Sequence, residues 1–439
     1  MTQKYIVHTY GCQMNDHDSE ILAGMLQEMG YQPTDDEGQA DIILLNTCCV
    51  RETAENKIWG KMGELTHIKS QNPAVILGIC GCMAQQKEVA EKIRQKAPHM
   101  DLIFGTHNVH QLPELIERAR EMDKTVMEVW ETEGTVVENL PARRVDGVKA
   151  LVTIMYGCNN YCTYCIVPYV RGRERSRQVK DIIQEIEGLV AEGYQEAMLL
   201  GQNVNSYGKD LEPKLDFADL LEEVDKIAGL NRIRFTTSHP RDFNDKLIDV
   251  IARSEKICDN IHLPVQAGSN RILKAMNRGY TKEYYLDLVD RIKKAIPHVA
   301  LTTDLIVGFP GESEEDFLDT LDLVEKVQYS AAFTFVYNTR SGTPAAEMAD
   351  QVPAEVKKER ITRLIELQNF INLKKNQAEV GRVLEVLVEG SSKTNQDMLS
   401  GKDRANRTVV FPGSSEIKGK LVSVKIHTAK TWNLEGEMI

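Results

Sequence analysis

YGCNNYCTYC places Cys158, Cys162 and Cys165 in a C-x3-C-x2-C spacing, with Tyr164 before the last cysteine. Thiolates are the ligands of iron–sulfur clusters, and three this close can hold three corners of a four-iron cube. The fourth iron is then open to another ligand. Structural zinc takes four ligands, usually as C-x2-C pairs, and an asymmetric triplet fits it poorly. A disulfide here would leave one thiol over.

A second set is dispersed along the chain. Cys12 ends the strand in HTYGC, Cys48 ends the strand in LLNTC, and Cys82 follows the strand in VILGICGC. Each lies between a strand and the next helix. The carboxyl ends of parallel strands share one edge of the sheet, where ligands gather. The three thiols can therefore converge there. From spacing alone, a second three-thiolate site and simple burial in tight turns are equally good readings. Strand alternation points Cys49 and Cys80 away from their neighbours and makes them packing residues. Cys258 stands alone and reads as core. Nine cysteines, an odd number in a long chain, favour metal ligands over disulfides.

The positioning elements follow from hydrophobic patterning. Strand candidates 5–9, 41–45, 74–79 and 101–104 alternate with helical stretches 18–29, 53–70 and 85–96, and a helix near 112–120 closes the block. That rhythm implies a doubly wound parallel sheet over residues 1–120. Residues 121–148 are charged and aperiodic and read as a linker with room for a short strand. A second block, 149–378, carries strand candidates 150–155, 197–200, 232–236, 261–264, 300–307 and 332–336 with helices between. Six such units suggest a partial (β/α)6 barrel. A long helix, 354–378, follows, with Ile361, Leu364, Leu367 and Ile371 near one face. Short strands separated by turns over 379–439 suggest a small β-barrel.

Composition bounds the rest. The 439 residues are 42% hydrophobic and 27% charged, ordinary for a folded protein. The net charge of −12 argues against nucleic-acid binding through bulk positive charge. No run approaches a membrane span, and the start lacks a signal-peptide core, so a cytoplasmic protein is expected.

The cysteine motif YGCNNYCTYC resembles the signature of radical S-adenosylmethionine enzymes. YGCQMN, NTCCVRETAENK and GCMAQ are similar to the N-terminal motifs of the methylthiotransferases in that superfamily, and GKDRANRTVVF resembles a TRAM domain, a small RNA-binding barrel. The likeness spans essentially the whole chain. NTCCVRETAENK and TTSHP most resemble members that act on N6-(dimethylallyl)adenosine at position 37 of tRNA, beside the anticodon. Members acting on threonylcarbamoyl-adenosine, or on an aspartate of a ribosomal protein, are the alternative. The GGE tripeptide of many radical enzymes is absent, and LLGQNVNSYG stands in its place.

The resemblance implies two [4Fe-4S] clusters, on Cys158, Cys162 and Cys165 and on Cys12, Cys48 and Cys82, with S-adenosylmethionine at the first and the sulfur for insertion at the second. It implies removal of an aromatic hydrogen by a radical, and then methylation by a second S-adenosylmethionine. A low-potential electron donor such as a flavodoxin or ferredoxin is the implied redox partner. S-adenosylmethionine contacts are expected from Tyr164, from Gln202 and Asn203 in LLGQNV, from Gln266 and Ser269 in HLPVQAGS, and from Gly308 and Gly311 in TDLIVGFPGE, whose helix Ser313 caps. Arg171, Arg173, Arg175 and Arg177 lie beside the cysteine loop and are candidates for RNA phosphate. After Gly381, nine Lys and Arg stand against seven Asp and Glu, and Lys402, Arg404 and Arg407 cluster on one turn as RNA contacts.

Overall fold

The computed structural model describes residues 2–49, 52–122, 124–144, 147–393 and 395–439; Val50 and Arg51 of NTCCVRETAENK lie outside the described residues. Apolar runs such as IILLNT are buried on both faces, as central strands of a helix-covered parallel sheet must be. Chain order in the first unit is β1 (Lys4–Thr9), α1 (Gln13–Glu28), β2 (Gln32–Pro33), β3 (Ile42–Thr47), α2 (Glu52–Gln71), β4 (Ile76–Gly81), α3 (Lys87–Lys96), β5 (Leu102–Phe104), α4 (Leu112–Glu121) and β6 (Val126–Glu128). All six strands are parallel, in the order β2-β1-β3-β4-β5-β6. The order reverses between β1 and β3, and ligands of open α/β sheets bind at such a switch point. Cys12 follows β1 and Cys48 follows β3.

Helix α1 starts five residues before its expected position, directly after Cys12. Its first turns bury Asn15, His17, Asp18 and Ser19. Polar residues there are interior, which hides the turn from a hydrophobic pattern. The helix is enclosed on two sides, by its own sheet and by the second unit, where the Thr153 hydroxyl meets His17 Nδ1 at 3.1 Å. The expected linker is likewise structural. β6 extends the first sheet, and the Arg143 N–H donates to the Glu20 carbonyl at 2.8 Å. A Cβ on Gly24 would sit 2.4 Å from the Pro141 oxygen, so only glycine lets this strap cross α1.

The second unit runs β7 (Lys149–Thr153), β8 (Met155–Tyr156), α5 (Val167–Arg171), β9 (Arg175–Ser176), α6 (Val179–Ala191), β10 (Glu196–Leu200), α7 (Phe217–Asp225), β11 (Arg232–Phe235), α8 (Asp245–Arg253), β12 (Asn260–His262), α9 (Asn270–Ala275), α10 (Lys282–Ala295), β13 (Ala300–Val307), α11 (Glu314–Val327), β14 (Ala331–Val336) and α12 (Ala354–Gln377). Two parallel triplets, β7-β10-β11 and β12-β13-β14, are joined by a bridge between Ile233 and Ile257. The six strands make an open barrel whose outer faces pack on the helices. On α12 the buried face holds Leu364 and Ile371 as expected, but also Arg360, Gln368 and Asn372; Ile361 and Leu367 are only partly buried. The polar members have partners: Gln368 donates to the Tyr329 carbonyl at 3.1 Å and Arg360 to Glu312 at 2.8 Å.

The third unit, β15 (Val383–Ser391), β16 (Met398–Asp403), β17 (Thr408–Pro412), β18 (Leu421–Ala429) and β19 (Asn433–Met438), closes into a barrel with its own core. It docks on the open barrel through arginines. Arg232, fully buried, donates to the Lys402 carbonyl at 2.7 Å and the Glu385 carbonyl at 3.1 Å. Arg234 reaches the Asp403 carbonyl at 2.6 Å and the Arg404 carbonyl at 3.0 Å. Lys402, Arg404 and Arg407, expected as RNA contacts, are half-buried and have partners within the protein. Arg404 returns across the interface to the Glu255 and Ile257 carbonyls and to Asp259, and Arg407 pairs with Asp403 and Glu379. Lys402 donates to Thr408 Oγ1 at 2.9 Å. Of the three side chains, Arg404 alone serves the interface; Lys402 and Arg407 brace the turn itself. Arg232→Ala strands two interface carbonyls and is expected to cost about 2–3 kcal/mol. Urea denaturation and faster proteolytic release of residues 379–439 check it.

Candidate active site

The strand-end positions of the dispersed cysteines bring them together. A Cβ on Gly11 would lie 2.8 Å from Cys48 Cβ, so the Cys12 turn packs directly on Cys48. The Cys82 N–H donates to the Thr47 carbonyl at 2.8 Å, placing Cys82 beside the same edge. Cys12 and Cys82 are close enough to influence each other's ionisation. Cys80 packs in the opposite core layer, as alternation requires, and Cys258 is buried. Cys49 differs from its expected place. It lies in the same core layer as Cys82 and its thiol bonds to Cys82. The strand ends at Thr47, so alternation no longer applies at Cys49. The Cys49 thiol, opposed by burial and assisted by Arg171, holds Cys82 down to about 6.

Cys158, Cys162 and Cys165 share a loop at the carboxyl end of β8 and interact electrostatically with one another. Burial pushes the Cys158 thiol up to about 11 and Cys165 up to about 12. Arg278, 4% exposed, donates to Cys162 Sγ and to the Tyr164 hydroxyl, both at 3.4 Å, and to the Pro264 carbonyl at 2.8 Å. Sequence patterning gave no sign of this arginine, because a buried cation reads like a surface one.

The basic run beside that loop divides. Arg171 is buried; its Nε–H donates to Cys82 Sγ at 3.2 Å and its Nη2 to Asp18 at 2.6 Å. Arg177 is buried between Glu138 and Glu185. Arg175 donates to the Glu133 and Gly134 carbonyls. Arg171 and Arg177 are thus enclosed between the two α/β units with carboxylate partners, and the half-buried Arg175 ties the segment to residues 133–134. Arg173 alone is exposed. Tyr161 and Tyr169, both exposed, stand edge to face near it in sequence, with ring centroids 6.0 Å apart.

Across the barrel mouth, several buried polar atoms lack a partner: Asn203 Oδ1, both side-chain heteroatoms of Asn205, Ser238 Oγ and His239 Nε2. All follow β10 or β11. Buried polar groups are normally paired, so such a cluster marks a place for a polar ligand. Asn205, Ser238 and His239 were absent from the sequence-based site; TTSHP contains two of them. Gln202 accepts from the Gly157 N–H, tying its loop to the cysteine loop, and Asn203 donates to Asp242 at 2.9 Å. Tyr161, Thr237 and Gln266 adopt left-handed φ of 45°, 68° and 76°. Strained non-glycine backbone of this kind gathers at functional sites.

Three expected contacts have hydrogen-bond partners within the protein. The Ser269 hydroxyl donates to Asp316 at 2.5 Å. The Gly308 N–H donates to Glu312 at 2.8 Å, and a Cβ there would sit 2.3 Å from Lys357 Cγ. The Gly311 N–H donates to the Asp350 carbonyl at 2.6 Å. The glycines make a turn, and Ser313 caps the following helix in a capping box with Asp316.

Among the described residues no three Cys, His, Asp or Glu converge as the ligands of one ion would. A cube places each thiolate on a different iron, so its ligands stand farther apart than those of a single ion. Two groups of adjacent thiols, each with a buried guanidinium on one sulfur, form a donor set that fits such clusters. The orphaned amides fit a polar ligand beside them.

Residues 4–105 match the Uncharacterized protein family UPF0004, residues 152–324 the Radical SAM superfamily, and residues 377–439 the TRAM domain. The tRNA-2-methylthio-N(6)-dimethylallyladenosine synthase of Carboxydothermus hydrogenoformans is 60% identical over 437 residues, covering 100% of this chain and 99% of the relative. That of Desulforamulus reducens is 60% identical over 435 residues, covering 99% and 95%. The radical S-adenosylmethionine methyltransferase TsrM of Kitasatospora setae, solved with cobalamin and a [4Fe-4S] cluster, superposes with a TM-score of 0.57 at 15% identity, over 79% of this chain and 74% of that one. At that identity the likeness speaks to fold alone. With full-length relatives at this level of identity, the chain belongs to the tRNA-2-methylthio-N(6)-dimethylallyladenosine synthases, a family of radical S-adenosylmethionine methylthiotransferases.

Proposed function

We propose that the chain converts N6-(dimethylallyl)adenosine of tRNA, at position 37 beside the anticodon, to its 2-methylthio derivative. The observation that carries this is the full-length likeness to relatives of that name. The names favour this target over threonylcarbamoyl-adenosine or a ribosomal aspartate. S-adenosylmethionine and iron–sulfur clusters, when bound, supply the one-electron chemistry, the sulfur and the methyl group that a non-acidic aromatic C–H demands.

The chain's own residues have separable tasks. Cys158, Cys162 and Cys165 would hold the cluster that takes S-adenosylmethionine. Asn203, Asn205, Ser238 and His239 would orient that molecule at the barrel mouth. Cys12, Cys48 and Cys82 would hold a second cluster, which gives a count of two. Arg173, Tyr161 and Tyr169 offer charge and stacking surface to single-stranded RNA. Phe333 and Phe335 stand exposed on β14, and Phe333 meets His262 edge to face with centroids 5.8 Å apart; His262 contacts Thr302 at 3.0 Å and Asp304 at 3.5 Å. These rings would pack against the dimethylallyl group. The redox partner would be a low-potential flavodoxin- or ferredoxin-like donor. No helix among the described residues is long and apolar enough to cross a membrane.

Anaerobic reconstitution should yield about eight irons and eight sulfides per chain. A dimethylallyl-bearing anticodon stem-loop should gain one methylthio group by mass. One zinc without iron, or inertness towards this RNA, would contradict the reading. Phe333→Ala is expected to weaken binding of dimethylallyl RNA by roughly tenfold and to leave unmodified RNA unaffected. Fluorescence anisotropy of the two RNAs measures the difference.

A further inference from the structure

We propose that Arg171 is a positioning residue that raises the reduction potential of the cluster on Cys12, Cys48 and Cys82. It would act from a helix that belongs to the other cysteine loop. The proposal rests on the two-cluster reading above.

The geometry is specific. α5 begins two residues after Cys165 and ends at Arg171. Ile166 and Val170 pack in the core of the first unit, in the same layer as Cys82 and Met83. Thr106 donates to the Val170 carbonyl at 2.5 Å, which fixes the end of the helix. From that end the guanidinium crosses to the first unit and its donors divide. Nη2 bonds to Asp18 at 2.6 Å and Nε to Cys82 Sγ at 3.2 Å. Asp18 lies on α1, the helix that starts directly after Cys12. One carboxylate therefore aims the fork at the thiolate edge.

Asp18 by itself would neutralise the charge of this buried arginine. The bond to sulfur is the additional feature. Reduction adds negative charge to a cluster, and a donor or cation on a ligating sulfur favours the reduced form. Little water competes at a site this buried. Removing the Nε–H should make this cluster harder to reduce. Lysine keeps the charge but lacks a planar fork, and cannot serve Asp18 and Cys82 together. Arg278 on Cys162 is the counterpart in the other trio, held entirely within the barrel unit.

The test uses the full chain carrying Cys158→Ala, Cys162→Ala and Cys165→Ala, so that only the N-terminal cluster remains. Iron is counted, and the potential is read by a redox titration followed by electron paramagnetic resonance. Adding Arg171→Lys should move the potential to a more negative value at unchanged iron content. Adding Arg171→Met with Asp18→Asn, which keeps the buried charge balanced, should move it further. Adding Arg278→Lys should leave it in place. An unchanged potential in both Arg171 variants would overturn the proposal. No iron in the parent chain would overturn the two-cluster reading, and this proposal with it.

Discussion

Cys158→Ala should abolish S-adenosylmethionine cleavage and methylthio product together. The thiol lies in a loop whose sulfurs sense one another, with Cys162 fixed by Arg278. Two remaining thiolates leave a cube with two unsupported corners. Losing even an outer partner of a metal ligand typically costs 10- to 100-fold, so loss of the ligand itself should leave less than roughly 1% of the parent rate. The measurement is 5′-deoxyadenosine and product by chromatography under anaerobic conditions. Iron should fall to about half, because the other trio is untouched. Retained cleavage would show that the loop does not hold the cluster that binds S-adenosylmethionine.

Cys82→Ala should separate the two outcomes. The radical-generating loop stays intact, so part of the cleavage persists while product falls below roughly 1%. Arg171 loses one acceptor but keeps Asp18, and the truncation removes a single sulfur from a packed core. The fold should therefore survive with a loss of about 1–2 kcal/mol. The decisive quantity is the ratio of 5′-deoxyadenosine to product. In Cys82→Ala that ratio should rise well above the parent's. A variant that still inserts sulfur would remove Cys82 from the site, and Cys49, hydrogen-bonded to it, would be the next thiol to test.

Why the cysteines were readable from sequence, and the arginines were not, is a matter of geometry. A parallel strand delivers its last residue to a known edge, so Cys12, Cys48 and Cys82 were expected at one edge of the sheet, with burial in tight turns an equal reading until the family resemblance favoured a cluster. A run such as RGRERSR carries no comparable rule. Its charges suggest a solvated face, yet Arg171 and Arg177 point inward, to Asp18 and Glu138 far away in sequence and to Glu185 eight residues on. Arg404 is likewise tied to a remote carboxylate, Asp259, that its sequence neighbours do not announce. Arg278 and the orphaned Ser238 and His239 left no periodic trace, because burial of a polar side chain depends on neighbours that only the fold supplies. The strands of the open barrel were legible to within a residue or two. The late reading of the α1 start came from buried polar residues on a helix enclosed on both sides.

The insertion of Ile166 and Val170 into the first unit bears on how the protein is made. A nascent chain emerging in order completes the six-stranded sheet some forty residues before it delivers these two plugs. Until then the layer around Cys49, Cys82 and Met83 stays uncovered, and its thiols remain open to metal and oxidant alike. A fragment ending after β6 would keep that wound permanently. The amino-terminal unit is therefore a dependent module, finished only when the downstream segment arrives to seal it.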